Sequence, residues 1–232
     1  MYPVVILAGG LATRLRPATG SAPKALIDVN GEPFIAHQLR LLASAGIDRV
    51  VILAGYLGHM IEDYVGGGGR FGVEARFSHD GERLLGTAGA VKKALPVAGP
   101  RFFVLYGDSY LECDYAGVQK AFGASGKAGL MTVYRNEGRY DTSNVEFVEG
   151  ALRAYDKRAR TPAMRHIDYG LGVFDAAAFA DVPGGVPWDL ARVYQDLLGR
   201  GQLAGYEVAQ RFYEVGSPEG LAEFRRYMGR GA

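Results

Sequence analysis

The sequence is poor in the features that would place it quickly. It has one cysteine, Cys113, so an intrachain disulfide is excluded and no second thiol stands at metal-ligand spacing. Its four histidines, His37, His59, His79 and His166, show no H-x-x-H spacing and read as packing or surface residues. No stretch approaches the roughly 20 apolar residues that a membrane span needs. Met1-Tyr2-Pro3 lacks the basic segment of a secretory signal, and the apolar run after it is too short for one. An excess of either charge is also missing: 26 Lys and Arg against 25 Asp and Glu leave a net charge of +1. A duplex-binding protein usually carries a basic face, so nucleic acid is not an expected partner, although a local basic pocket for one small anion stays open. There is no internal repeat, and the only low-complexity stretch is the glycine run at 66–69. The expectation is a soluble, cytoplasmic protein that contacts neither membrane nor nucleic acid.

What is present is the material of a sizeable core. At 232 residues and 48% hydrophobic content, the chain is long enough to bury about two-thirds to three-quarters of its unfolded surface. Apolar runs at 4–8, 50–54, 102–106 and 130–134 are continuous rather than alternating, as in strands covered on both faces by helices. A helix is predicted between the first two runs, with Pro33 in its first turn, Gly46 as its stop and Ile35, Leu39, Leu42 and Ala45 on one face. Further helices are predicted at 57–65 and at 88–95, the latter ending before Pro96. This alternation predicts an α/β fold, a Rossmann-like, wound, mixed but mostly parallel sheet flanked by helices. After about Gly138 the rhythm changes. Strands at 144–148 and 151–155 flank a Glu149-Gly150 hairpin turn, followed by a strand at 167–174 and a helix at 190–198. A run at 211–214 and a helix near 218–227 complete the pattern. We read residues 1–232 as one domain in two parts, about 1–135 and about 136–232, the second carrying an inserted substrate-side subregion.

The first strand leads into Leu7-Ala8-Gly9-Gly10-Leu11-Ala12-Thr13-Arg14-Leu15-Arg16-Pro17. Small residues just past a parallel strand let backbone N–H groups approach an anion, Thr13 adds a hydroxyl, and Arg14 and Arg16 add charge. The loop is neither G-x-x-x-x-G-K-[ST] nor G-x-G-x-x-G. Pro23-Lys24-Ala25-Leu26 follows, with a lysine placed to oppose a phosphate. Leu85-Gly86-Thr87-Ala88-Gly89 is a glycine-rich helix entry where Thr87 could instead serve only as a cap. Asp108, in Tyr106-Gly107-Asp108-Ser109, ends an apolar strand, where a carboxylate can hold a cation.

Taken together, these segments and Gly31-Glu32-Pro33-Phe34 resemble the sugar-1-phosphate nucleotidylyltransferase family. The resemblance spans nearly the whole chain and is strongest in the first 35 residues; Ala12 departs from the family's usual glycine. It implies the nucleotide-diphospho-sugar transferase fold and a reaction of NTP with a sugar 1-phosphate, giving an NDP-sugar and pyrophosphate with Mg²⁺ as cofactor. By the same resemblance, Leu7, Ala8, Gly9, Gly10, Thr13, Gly86, Thr87 and Gly89 would bind nucleotide, and Arg14 and Lys24 would act in catalysis. Asn144, Glu146, Lys157 and Asp168 would hold the sugar phosphate. In Asp156-Lys157 aspartate replaces the family's glutamate, and in Asp168-Tyr169-Gly170 Asp-Tyr replaces Asn-Ala. Asp108 and Glu214 are expected to face each other across the phosphates and share one Mg²⁺, with Glu214 replacing the usual aspartate. Without an appended β-helix, the chain resembles the short members of the family, such as heptose-1-phosphate guanylyltransferases and N-acetylmuramate-1-phosphate uridylyltransferases. The Gly-Gly loop favours guanylyl transfer to a heptose or hexose 1-phosphate. Uridylyl or cytidylyl transfer to an amino-sugar phosphate, phosphonate or alcohol phosphate is the alternative, as is a non-catalytic homologue that binds nucleotide sugar. A homodimer is left open.

Overall fold

The structure is a computed structural model that describes residues 1–10 and 22–229; Thr13 and Arg14 lie outside the described residues. Elements are numbered along the described chain. The apolar runs form a parallel group: β1 (Val4–Leu7) lies between β4 (Arg49–Ala54) and β6 (Arg101–Tyr106), and β5 (Glu74–His79) pairs with β4. Their alternate residues feed two different cores. Val4, Ile6, Ile52 and Leu105 enter one, with α1 (Phe34–Ser44), α2 (Gly58–Val65) and α4 (Tyr115–Ser125). Val5, Val51, Leu53 and Val104 enter the other, with α3 (Gly86–Ala98) and α5 (Leu190–Gly199). Helices on both faces are why these strands read as unbroken apolar runs.

Beyond β6 the sheet turns antiparallel. β11 (His166–Asp175) pairs with β6 and with β8 (Gly129–Arg135), and β12 (Leu203–Val208) runs parallel to β8. The hairpin of β9 (Val145–Val148) and β10 (Ala151–Tyr155) lies at the far edge. Its Glu149 and Gly150 both have positive φ, +51° and +76°, the sign pattern of the type I′ turn that matches the twist of two paired strands. Two short ribbons complete the fold: β2 (Asp28–Val29) with β3 (Glu32–Pro33), and β7 (Ser109–Leu111) with β13 (Phe212–Glu214). A third core, including Ile27, Val29, Phe34, Tyr110, Val215 and Phe224, joins both ribbons to α6 (Pro218–Met228).

The fold class is the one expected from the sequence, a mixed sheet flanked by helices. Two local expectations change. Helix α3 starts at Gly86 and continues past Pro96 to Ala98, because a proline in the last turn removes only one hydrogen bond of the ladder. Strands β5, β7 and β12 and helix α4 have no counterpart in the sequence reading. At the sheet edge, β5 alternates Glu74, Arg76 and Ser78 with Ala75 and Phe77, whereas β7 is only three residues long.

Candidate active site

In order across the sheet, the strands run β11-β6-β1-β4-β5. The chain therefore winds from β1 outward through β4 and β5, then returns to the other side of β1 as β6. That reversal opens a crevice at the carboxyl ends of β1 and β6, the place where wound α/β sheets bind ligands. A cavity of about 530 Å³ lies there, lined by Leu7, Ala8, Gly9 and Gly10 after β1, by Gly86 and Thr87 at the start of α3, and by Lys24, Asp108 and Lys157. A second cavity of about 270 Å³ shares Tyr106, Asp108 and Lys157 with the first and adds Asn144, Asp168 and Glu214. Lys24 is 84 residues of sequence from Asp108 and 133 from Lys157, and the fold brings them to one junction.

Glycine is required at two points of this wall. A Cβ on Gly107 would lie 2.2 Å from the Leu7 carbonyl oxygen, so the turn carrying Asp108 can lie against the end of β1 only without a side chain. Gly86 has φ +67°, and a Cβ there would lie 2.7 Å from the Trp188 carbonyl. Thr87 does cap a helix, but it is α5 rather than its own: its Oγ1 accepts from Leu190 N at 2.7 Å and donates to Asp189 Oδ1 at 3.3 Å. Gly89 faces the backbone at Val186 and Trp188 and does not line the cavity.

The charged groups are arranged in pairs. Lys24 Nζ lies 2.8 Å from Asp108 Oδ2. Lys157 Nζ sits 3.9 Å from Asp168 Oδ2, 3.4 Å from the Tyr106 hydroxyl and 5.0 Å from that ring's centre. The Asp168 side chain is only 2% exposed. It accepts from the Tyr106 hydroxyl at 2.7 Å, the Tyr155 hydroxyl at 3.2 Å and Gly170 N at 3.1 Å. Burial, then the Asp168 charge, pushes the Tyr106 and Tyr155 hydroxyls far above the usual tyrosine range, so both remain protonated donors. Asp168 is thus committed to its own scaffold, and Lys157 is the group it presents to the cavities. Asn144 Oδ1 accepts from Asp168 N at 2.9 Å. Glu146 lies on β9 opposite Ala154 and lines neither cavity. Asp156 turns to cap Arg158 N and Ala159 N, at 2.7 and 2.9 Å.

Asp108 and Glu214 are brought side by side. Glu214 pairs with Ser109 across the β7–β13 ribbon, and Val215 N donates to the Asp108 carbonyl at 2.9 Å. The carboxylates share the smaller cavity, and Asp108 already balances a cation, the Lys24 ammonium. Two oxygen donors beside a phosphate-sized space fit a divalent ion that keeps waters and borrows substrate oxygens. Among the described residues no group of three or more potential metal-ligating side chains forms, so the protein alone offers a partial shell.

Three lining or supporting residues escaped the sequence reading. Asp80 lines the larger cavity and accepts from Leu85 N at 3.0 Å; burial raises its carboxyl above the usual aspartate range against the opposing pull of that N–H, Lys93 and His79. Asp189 lines it too, as the cap that accepts from Ala191 N at 2.9 Å. Gln38, buried on α1, donates to Ser109 O at 2.7 Å and Tyr106 O at 3.3 Å, bracing the turn that holds Asp108. Its signal was legible: a polar residue on the stripe of Ile35, Leu39 and Leu42.

Residues 3–143 match the family model described as nucleotidyl transferase. The chain belongs to that nucleotidyl transferase family. It is 27% identical over 221 residues to the mannose-1-phosphate guanylyltransferase catalytic subunit beta of Xenopus tropicalis, covering 93% of this chain and 61% of that one. It is 40% identical over 112 residues to the N-acetylmuramate alpha-1-phosphate uridylyltransferase of Neisseria meningitidis serogroup B, 48% of each chain. This chain thus spans about three-fifths of the length of the guanylyltransferase (61%) and about half (48%) of the uridylyltransferase. The crystal structure of HddC from Yersinia pseudotuberculosis shares the fold, with a TM-score of 0.82 at 23% identity over 98% of this chain and 100% of that one. No described helix of this family member is long and apolar enough to cross a membrane.

Proposed function

We propose that the protein transfers a nucleoside monophosphate from a nucleoside triphosphate to a sugar 1-phosphate, releasing pyrophosphate. The observation that carries this reading is the meeting of Lys24, Asp108 and Lys157 where the two cavities join. A nucleotide and a sugar phosphate placed in the two cavities would meet at that junction. A phosphate oxygen of the sugar 1-phosphate attacks the α-phosphorus in line, the bond to the bridging oxygen breaks, and its electron pair leaves on pyrophosphate. The attacking monoester is already anionic near neutral pH, so no side chain has to remove a proton. The task is to hold two polyanions in register and neutralise them.

Each part of the site has a share in that task. Backbone N–H groups at Gly9 and Gly10 would face the triphosphate, whereas Ala8 N already donates to Leu53 O at 3.0 Å and Ala8 only lines the cavity. Thr13 and Arg14, outside the described residues, keep the nucleotide and catalytic roles assigned from the sequence. Lys24 exchanges its contact with Asp108 for triphosphate oxygens. Lys157, steadied by Tyr106 and Asp168, takes the sugar's phosphate, and Asn144 offers its amide nitrogen to the sugar. Asp108, with Glu214 beside it, would hold Mg²⁺, which would supply charge neutralisation at the phosphates. Gly89 and Glu146 take no direct part in this arrangement.

The base pocket is on the β4 side of β1, away from Asp108, where Leu53 and Leu84 give apolar walls and Asp80 gives a carboxylate. Guanine presents two adjacent donors, N1–H and N2–H, to such an acceptor, and uracil only one. Guanylyl transfer is therefore the reading we favour. The 40% identity to a uridylyltransferase supports uridylyl transfer as the second reading. Pyrophosphate release with Mg²⁺, each of the four NTPs and a panel of sugar 1-phosphates tests both. GTP is expected to be used best; preference for UTP selects the second reading, and no pyrophosphate with any pair rejects the transferase.

A further inference from the structure

A third cavity, of about 470 Å³, shares Thr142 and Arg160 with the sugar-side cavity and shares no residue with the nucleotide cavity. The three spaces therefore form a series, from the nucleotide through the junction at Lys157 to a distal chamber. Two arginines, Arg160 and Arg165, line that chamber with the hydroxyls of Thr142 and Thr161. Its frame is built and held. The Asn136 amide, fully buried, donates to Asp141 O at 2.6 Å and to Ser143 Oγ at 3.1 Å. Ser143 Oγ in turn donates to Arg165 O at 3.3 Å, and Glu137 N donates to the same carbonyl at 2.8 Å. On the opposite wall, Asp156 caps the turn that follows it, and Arg160 Nε donates to Lys157 O at 3.1 Å.

The charge on this frame is unbalanced. Among the described residues, neither Arg160 nor Arg165 has an ion-pair partner. The carboxylate that also lines the chamber, Glu137, is already taken by Arg135 at 3.0 Å and Arg139 at 2.8 Å. The nearby Asp141 accepts from its neighbour Thr142 N at 2.6 Å. Guanidinium groups offer planar forks of donors suited to carboxylate or phosphate oxygens. A neutral sugar would leave both forks facing water, whereas an anion on the sugar would engage them.

We propose that the sugar subsite extends into this chamber and that the preferred sugar 1-phosphate carries a second anionic group, a carboxylate or a phosphate, held by Arg160 and Arg165. This rests on the transferase reading above and names the substrate class of the same site. The group sits at the end of the sugar remote from the reacting phosphate, because the chamber touches only the side of the sugar cavity away from the nucleotide.

The test compares a hexose 1-phosphate, the corresponding uronic acid 1-phosphate and the hexose 1,6-bisphosphate under the NTP that works best, in the wild type, in Arg160→Gln/Arg165→Gln and in Arg160→Lys. Pyrophosphate release gives kcat/KM, and thermal shift with each sugar phosphate reports binding without turnover. The acidic sugars should exceed the neutral one roughly tenfold or more, chiefly in KM, as expected for charge-assisted hydrogen bonds. The uronate and bisphosphate arms separate a carboxylate from a phosphate as the preferred group. In the double variant that preference should collapse, and in Arg160→Lys it should fall partway, because one charge remains without its fork. Turnover with equal use of neutral and acidic sugars, or a preference that survives the double substitution, overturns the chamber's role while leaving the transferase reading intact. Absence of turnover with every sugar overturns both.

Discussion

At the scale of single residues, the site is governed by which carboxylates are satisfied and which are held in reserve. Asp168 is the satisfied one, surrounded by two phenols and a backbone N–H, and it acts by steadying Lys157. Asp80 is the reserve: half-buried, with one donor from the protein and its pKa raised by burial. A carboxyl whose folded pKa lies above its unfolded value binds more proton when folded, so it lowers stability as pH rises through and beyond the ordinary aspartate range. Asp80→Asn keeps an acceptor for Leu85 N and removes that penalty. The unliganded variant should match or exceed the wild type in thermal stability near neutral pH, with a flatter stability–pH profile, while its preference for GTP over UTP falls. Denaturation across pH together with the kcat/KM ratio for the two nucleotides checks this, and a less stable variant with unchanged base preference would refute it. Such a residue was invisible in the sequence, since Asp80 stands in a loop without a motif and is tied in place by the hydrogen bond from Leu85 N. Lys24 and Asp108, by contrast, were legible because motif spacing carried them. Their mutual ion pair was not, since it depends on how a turn at Lys24–Leu26 meets one 84 residues later.

At the scale of elements, helix α1 supports, through Gln38, the turn that carries Asp108. Two backbone carbonyls, at Tyr106 and Ser109, take both of its amide hydrogens inside a buried interface. Gln38→Leu leaves those carbonyls unpaired, with an expected stability loss of about 1–3 kcal/mol. Its effect on the reaction should be larger in kcat than in the KM for nucleotide, because the proposed base pocket lies across β1 from this turn. Rescue by Gln38→Glu, which keeps the length but loses the two donors, is not expected. Steady-state kinetics beside urea denaturation distinguishes this bracing from a general loss of fold, which would move kcat and KM together. The parallel strands and their helices could be read because each apolar run feeds two cores, and the 149–150 hairpin because its turn chemistry is local. The β7–β13 ribbon could not, since neither three-residue strand has a pattern of its own and their pairing spans about 100 residues. That pairing nevertheless brings Glu214 beside the turn that carries Asp108, through a separate ribbon.

At the scale of the whole molecule, function follows from the winding order. Because the chain leaves β1 on one side and returns on the other, the ends of β1 and β6 part around a crevice. The parallel group contributes the segment at 8–10 and Asp108, and the antiparallel group is followed by Lys157 and preceded by Asn144 on the opposite wall. This division also separates the arginine-lined chamber from the larger cavity, with which it shares no residue. The central claim is that Asp108 stands at the point where the two substrates react. Pyrophosphate release at saturating nucleotide, sugar 1-phosphate and Mg²⁺, measured for the wild type and Asp108→Asn with nucleotide binding followed in parallel by thermal shift, tests it most directly. The account predicts that Asp108→Asn still binds the base but loses turnover on the order of 10²-fold or more, as when a main electrostatic contributor is removed; wild-type turnover in Asp108→Asn would contradict it.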